Sequence, residues 1–334
     1  MRKALLILAA AALAASAGQA MAQKKTLAVV VKGLDNPFFT VLGNGCADWN
    51  KANPDSDYTC LYTGPALTSD EAGEIQLVAD LIARDDIAGI AISPSNAPAM
   101  ASLLREKQNE IKSKGIAVMT IDADLESADR ELRTTYLGTE NYQMGVLMAE
   151  HASKIKPKGG SVCLQLGNVA ANNINERAAG FRDTVAGKKG TERLTGQNGW
   201  TEIDGCPVFT NDDIATANQQ MADVTGANPN LDAFILVGGW AQFGPEAYKA
   251  NCSTMKSRVD SKDLIIIAGD TLPPQMDALK AGCSHAQVGQ RPYEMGNRAP
   301  DVLIQLIKGE PVKDPLYTGL DQCTQENAES CLAG

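Results

Sequence analysis

Short apolar runs rich in Val, Ile and Leu alternate along this chain with longer segments whose apolar residues recur at helical spacing. No other feature constrains the fold as much, because strands of period two separated by helices of period 3.6 are the pattern of βαβ units and parallel sheets. The runs predict strands at Thr26–Val31, Tyr58–Tyr62, Gly89–Ile92, Ala117–Ile121, Ser161–Leu166, Pro207–Phe209, Ala233–Val237, Leu264–Ala268 and His285–Val288. Helices are expected between them, among others at Phe38–Asn50, Ser69–Arg84, Asn141–Lys154, Asn175–Val185, Ile214–Thr225 and Glu294–Lys308. In the stretch TSDE at 68–71 a Ser or Thr cap precedes acids in the first turn. Right-handed crossovers then build doubly wound sheets with helices on both faces. Four strands fall before residue 125 and five after 160, which predicts two sheets and two lobes. TTYLGTEN at 134–141 reads as a crossing from one lobe to the other, DPLYTGL at 314–320 as a return, and 187–206 as one extended loop.

The first 22 residues carry Arg2 and Lys3, an apolar stretch from Leu5 to Ala14, and Ala20-Met21-Ala22, the pattern of a cleaved export signal. The apolar stretch is too short to span a bilayer. Its removal takes two cations away and moves the formal charge from −10 to −12. So acidic a chain is ill suited to nucleic acid, whose affinity comes largely from Lys and Arg on phosphates. All 8 cysteines follow the cleavage site, and an even count in an exported protein indicates disulfides. Pairing of neighbours along the chain is expected: Cys46 with Cys60, Cys163 with Cys206, Cys252 with Cys283 and Cys323 with Cys331. A metal site is disfavoured, since there is no C-x-x-C and the 2 histidines, His151 and His285, each stand alone.

In open α/β sheets ligands bind beyond the carboxyl ends of the strands, where loops and helix N-termini converge. The residues there are therefore a census of candidate function. Asn36, Phe38 and Phe39 follow the first strand, in a chain with only 6 Phe. Ser93, Ser95 and Asn96 follow the third, and Asp122 and Asp124 the fourth. Later strands are followed by Asn172, Asn173 and Arg177, by Asn211, Asp212 and Asp213, by Trp240 and Gln242, by Asp270, and by Gln290 and Arg291. Carboxylates and amides that share hydroxyl protons, an arginine that donates two, and aromatic faces for a ring suit a polyhydroxylated ligand. Plainer roles compete: Asn36-Pro37 is ordinary turn chemistry, one Phe of the pair is a core candidate, Asp122 and Asp270 are cap candidates, and Trp240 is a candidate for lobe packing. Arg177 falls in the first turn of its expected helix, a poor place for a cation. A role limited to ligand contact predicts that Arg177→Ala weakens binding and barely changes melting without ligand. The chain lacks G-x-S-x-G, H-E-x-x-H and G-x-x-x-x-G-K-[ST], and GNGCAD at 43–48 lacks the third glycine of a dinucleotide fingerprint. Asp122 and Asp124 are the remaining candidates for a glycosidase pair.

Six stretches, LDNPFF, TID at 120–122, GTEN, NERAAGF at 175–181, AGD at 268–270 and VGQRPYEMG at 288–296, occur in an order and spacing that resemble ribose-type periplasmic sugar-binding proteins. The resemblance runs from about Thr26 to Leu320. It implies an α/β fold of two doubly wound parallel-sheet lobes, periplasmic binding protein type I, joined by a three-segment hinge near Thr139, Gln290 and Thr318. The lobes would then comprise 23–138 with 290–317, and 139–289 with 318–334. The resemblance also implies that Asn36 and Asp122 meet ligand hydroxyls, that Phe38 and Phe39 stack on a ring, and that Arg177, Asp270 and Gln290 are polar contacts. Asn173 matches a contact of galactose-type relatives, and Asp124 and Trp240 complete the expected set. Ala123 replaces the arginine of ribose binders, Asn211 their second-lobe Phe, and 238–240 their Asn-Asp pair, so the second aromatic platform is expected to have moved to Trp240. The implied protein is a monomeric periplasmic carrier without cofactor. Its expected partners are a monosaccharide or sugar alcohol, an ABC importer whose permease and ATPase are separate chains, and a chemoreceptor as a further candidate. A nucleoside or furanosyl signal stacked on Trp240, and a periplasmic sugar-processing enzyme, are the alternative functions.

Overall fold

The computed structural model describes residues 24–332, so the export signal read in residues 1–22 lies outside the described residues. The first sheet is built from β1 (Lys25–Val30), β2 (Tyr58–Thr63), β3 (Ile87–Ile92), β4 (Ala117–Ile121) and β5 (Tyr136–Gly138), with α1 (Pro37–Ala52), α2 (Glu71–Ala83), α3 (Ala97–Glu106) and α4 (Gln108–Lys114) between them. The chain then enters the second lobe: α5 (Asn141–Ile155), β6 (Gly160–Leu166), α6 (Asn172–Ala186), β7 (Thr195–Gln197), β8 (Trp200–Glu202), β9 (Val208–Phe209) and α7 (Ile214–Ala227). It continues through β10 (Ala233–Leu236), α8 (Trp240–Phe243), α9 (Pro245–Asp260), β11 (Ile265–Gly269), α10 (Pro273–Lys280) and β12 (Ala286–Gly289). Helix α11 (Pro292–Ile307) and β13 (Leu316–Tyr317) return to the first lobe, and β14 (Asp321–Thr324) ends in the second.

The first sheet has the order β13-β5-β4-β3-β1-β2 and the second β14-β12-β11-β10-β6-β8-β7, with β9 also on β6. Within each lobe the order reverses at the first strand, β1 or β6. That reversal is the topological switch point at which the connections diverge to opposite faces and leave a crevice. Six and eight strands replace the expected four and five, because the crossings contribute β5 and β13 to the first sheet, while the β7–β8 hairpin of segment 187–206 and the late strand β14 join the second. Strand β1 shows why its sequence is apolar from Leu27 onward: Leu27 and Val29, followed by Val31, enter one core, whereas Ala28 and Val30 enter the core on the opposite face.

Each lobe holds its ligand-side helix by a backbone-close crossing. Added Cβ atoms at Gly45 or Gly296 would sit 2.4 Å from Tyr293 O and 1.8 Å from Leu42 O, so α1 and α11 need both glycines. Gly145 and Gly180 do the same for α5 and α6, each with a carbonyl 2.0 Å from the missing Cβ. The Gly45 of the GNGCAD stretch thus serves helix packing. Disulfides join Cys46–Cys60, Cys163–Cys206, Cys252–Cys283 and Cys323–Cys331, the pairs of chain neighbours. The Cys163–Cys206 link pins the end of the 187–206 segment to β6. At α2 the cap is Asp70, whose carboxylate accepts from Gly73 N at 2.9 Å, in place of the expected Ser or Thr. Thr68 instead donates through its hydroxyl to Asp35 at 2.6 Å.

Candidate functional site

The lobes lie against each other. Ala97 N donates to Ala170 O at 3.2 Å, Lys32 Nζ to Asn173 Oδ1 at 3.2 Å, and Arg130 to Glu176 at 3.3 Å, each across the cleft. Phe243 and Leu272 of the second lobe join the apolar cluster that contains Phe38 and Phe39 of the first. Between the lobes the two switch points face one another around a narrow cavity of about 30 Å³ that opens to solvent.

Nine of the ten expected contact residues line that cavity: Asn36, Phe38, Phe39 and Asp122 from the first lobe, Asn173, Arg177, Trp240 and Asp270 from the second, and Gln290 at a crossing. Asn36 serves both of its competing roles, since its Oδ1 accepts from Phe38 N at 3.0 Å and starts α1 while the residue faces the cavity. With Pro37 at the first helical position, this cap fixes where the two Phe rings point. The rings meet edge to face, centroids 5.3 Å apart and planes at 86°. Trp240 likewise lines the cavity and belongs to the second lobe's core.

Helix α6 begins at Asn172, earlier than its apolar pattern indicates, so Arg177 lies in the second turn rather than the first. There it donates from Nε to Asn141 Oδ1 (2.8 Å), from Nη1 to Val237 O (3.0 Å) and from Nη2 to Gln290 Oε1 (2.7 Å). Gln290 passes the connection on, donating to Asp270 Oδ1 at 2.7 Å and accepting from Thr139 Oγ1 at 2.8 Å. Asp270 Oδ2 accepts from Gly239 N at 3.0 Å. Two hinge crossings and the cavity wall therefore share one hydrogen-bond network. Burial pushes the Asp270 carboxyl up from its ordinary range, and the Arg177 cation opposes that. Neither Asp122 nor Asp270 caps a helix. Asp122 Oδ2 accepts from Ser93 Oγ at 2.7 Å, and Tyr136 donates its hydroxyl to the carbonyls of Asp122 and Thr139.

Asp124 is the expected residue that the structure does not bring to the cavity. Its carboxylate turns the other way and accepts from Arg133 Nε (3.0 Å) and Nη2 (2.6 Å), from Thr120 Oγ1 (2.6 Å) and from Leu125 N (2.9 Å). With Arg130 Nε also 3.2 Å from Oδ2, a buried carboxylate occupied by two arginines, a hydroxyl and an amide has nothing left for a ligand or for acid–base chemistry.

Four lining side chains, Lys32, Ile174, Asp212 and Phe243, fall outside the expected set. Lys32 was legible as a charge two positions beyond β1, after an unbroken apolar run from Leu27 to Val31. Its ammonium is 3% exposed and lies 4.0 Å from Asp122. Asp212 stood in the census without distinction from its neighbours. Its backbone is left-handed (φ 61°), as are those of Asp122 (φ 64°) and Asp270 (φ 68°). Non-glycine residues seldom adopt this conformation, and it concentrates at functional sites. Burial raises the Asp212 carboxyl, Lys32 opposes the rise and Asp122 adds to it. Phe243 lies three residues after Trp240 on α8, one helical turn along.

Residues 27–311 match the family described as a periplasmic binding protein domain. The ribose import binding protein of Salmonella typhimurium is 24% identical over 315 residues, covering 94% of this chain and 95% of the relative. Among solved structures, an ABC transporter solute-binding protein from Burkholderia graminis in complex with D-arabinose is 28% identical, with a TM-score of 0.76, and the match covers 92% of this chain and 98% of that one. A solute-binding protein from Agrobacterium vitis with bound D-fucose shares the fold at 22% identity and a TM-score of 0.78, over 91% and 97% of the two chains.

Proposed function

Since the chain belongs to the periplasmic binding protein family, we propose that it captures a neutral monosaccharide or sugar alcohol between its lobes and delivers it to an ABC importer. One observation carries this reading most directly: the cavity is walled from both lobes at their switch points by acids, amides, an arginine and four aromatic side chains. Its chemistry is binding rather than turnover, as in the transport proteins of its family, and most of the buried polar groups of the site are held by one another and by the crossings between the lobes.

Closure follows from the distribution of partners. Asn36, Phe38, Phe39 and Asp122 belong to one lobe, Asn173, Arg177, Trp240 and Asp270 to the other, so a ligand completes its contacts only in the closed state. Micromolar affinity requires about 8 kcal/mol. Charge-assisted hydrogen bonds contribute roughly 1.5–3 kcal/mol each and aromatic contacts roughly 0.5–1.5. Three charged side chains with two rings supply roughly 5.5–12 kcal/mol, so hydrogen bonds from Asn36, Asn173 and Gln290 are needed as well to cover several kcal/mol of association cost. Because Gln290 is both a cavity residue and a hinge residue, a hydroxyl bound there acts directly on a crossing.

We place the hinge at the three passages between sheets, 139–140, 290–291 and 318–320. The lobes are then 23–138 with 290–317, and 139–289 with 318–334. No helix of the described residues is long and apolar enough to cross a membrane, in keeping with a carrier that is exported and docks on separate membrane chains. Isothermal titration of the purified protein with pentoses, hexoses, polyols and nucleosides tests the proposal. Tight, stoichiometric binding of at least one neutral sugar or polyol is expected; binding of nucleosides alone would reject it.

A further inference from the structure

Asp212 differs from every other acid of the cavity. Asp122 accepts from Ser93, and Asp270 from Gln290 and Gly239. Asp212 Oδ1 is buried and makes no hydrogen bond of good geometry, with the Asn168 backbone amide near the carboxylate, and the residue is 8% exposed and lines the cavity. It is wedged there by close packing: a Cβ on Gly167 would lie 2.0 Å from that oxygen and 2.7 Å from the Trp240 ring. A buried carboxylate oxygen left unpaired is destabilising, and the residue also holds a left-handed backbone (φ 61°). Two costs at one position on a cavity wall mark a group kept for a partner that arrives with the ligand.

The charges define that partner. The lining holds two cations, Lys32 and Arg177, against three acids, Asp122, Asp212 and Asp270. Arg177 is already committed to Asn141, Val237 and Gln290. A ligand carboxylate or phosphate would add negative charge to a buried site that is formally negative already, whereas a hydroxyl donates without adding charge.

We propose that Asp212 is the specificity-determining acceptor of the site, accepting a hydrogen bond from a hydroxyl of a neutral polyol and excluding its acidic counterparts. This rests on the sugar-binding reading above.

The test uses the complete mature protein and the isosteric variant Asp212→Asn, with D-arabinose, D-fucose, D-allose, myo-inositol and D-glucuronate as probes. Asparagine tolerates the left-handed backbone and removes a buried charge, so the unliganded melting midpoint of the variant is expected to equal or exceed that of wild type. Its affinity for the best neutral probe is expected to fall at least about tenfold, the loss of one charge-assisted bond. D-glucuronate is expected not to bind the wild type. Affinity within about twofold of wild type overturns the inference while leaving the sugar-binding reading intact. A lowered unliganded midpoint accompanying the affinity loss also overturns it, because that marks Asp212 as structural. Binding of D-glucuronate as tight as that of the neutral probes overturns the exclusion. Failure of the wild type to bind any neutral probe removes the parent reading and this inference with it.

Discussion

Replacing Arg177 by alanine tests how far the site and the fold are one object. As a pure ligand contact, Arg177 would be dispensable to the unliganded protein, which is what its place in the sequence leads one to expect. The structure reverses that expectation. The side chain is 2% exposed, and all three of its nitrogens donate at 2.7–3.0 Å to groups in the α5 start, the end of β10 and the Gln290 crossing. Truncation strands Asn141 Oδ1 and Val237 O at about 1–3 kcal/mol each, relieved in part by water entering the vacated space, and leaves Gln290 Oε1 with Thr139 as its remaining donor. It also removes the cation that opposes the upward push of burial on Asp270. Breaking one side of a buried charged network typically costs about 3–5 kcal/mol. At about 2 °C per kcal/mol, the lower bound for larger domains, the unliganded midpoint should fall by roughly 6–10 °C. Ligand affinity should fall at least about tenfold as well, since Gln290 and Asp270 lose the group that orients them. Calorimetric melting without ligand, followed by titration with the best sugar from the screen, measures both quantities. Arg177→Lys keeps the charge without the three-way geometry and should recover only part of each loss. A midpoint for Arg177→Ala within about 2 °C of wild type would refute the account of the network, whatever happened to binding.

Two further outcomes follow from groups outside the cavity. Asp124→Asn should leave sugar affinity within about twofold of wild type, because Asp124 serves Arg133 and not the ligand. It should destabilise by about 3 kcal/mol, the low end for a broken buried pair, since Asp314 still faces Arg133. A titration showing tenfold weaker binding would return Asp124 to the site. Glu74 is 1% exposed, with Oε2 accepting from Ser95 N at 2.9 Å and Oε1 unpartnered. Burial pushes its carboxyl up to about 7. The folded state therefore binds this proton more tightly than the unfolded chain, so the contribution is complete below about 4.5 and is lost as the pH rises through about 7. Glu74→Gln stays neutral and should be more stable than wild type at pH 8 by up to about 3 kcal/mol, with the two melting curves converging near pH 4. Parallel pH profiles for the two proteins would show that Glu74 does not titrate in this window.

How much was legible in advance depends on whether a property is local. Alternation of strands and helices, the existence of two lobes and the positions beyond the strand ends are set by periodicity and chain order, and Asn36, Phe38, Arg177 and Asp270 could be located from those alone. The two residues of TID and DAD that both follow β4 could not be told apart, because facing direction is decided by a turn. With Asp122 at φ 64°, one acid is held towards the cleft, and Arg133 from a later segment draws Asp124 away. Lys32 and Asp212 gain meaning only when the lobes meet, since a lysine is costly to bury until Asn173 and Asp122 surround it, and they come from distant parts of the chain. The start of α6 and the glycine-mediated crossings of α1 with α11 and α5 with α6 are likewise products of packing, in which contacts remote in sequence override local propensity. Sequence thus determined which chemistry lies at the mouth of each sheet. The tertiary structure alone decided which of those groups face one another, because that depends on distances between segments that no local pattern encodes.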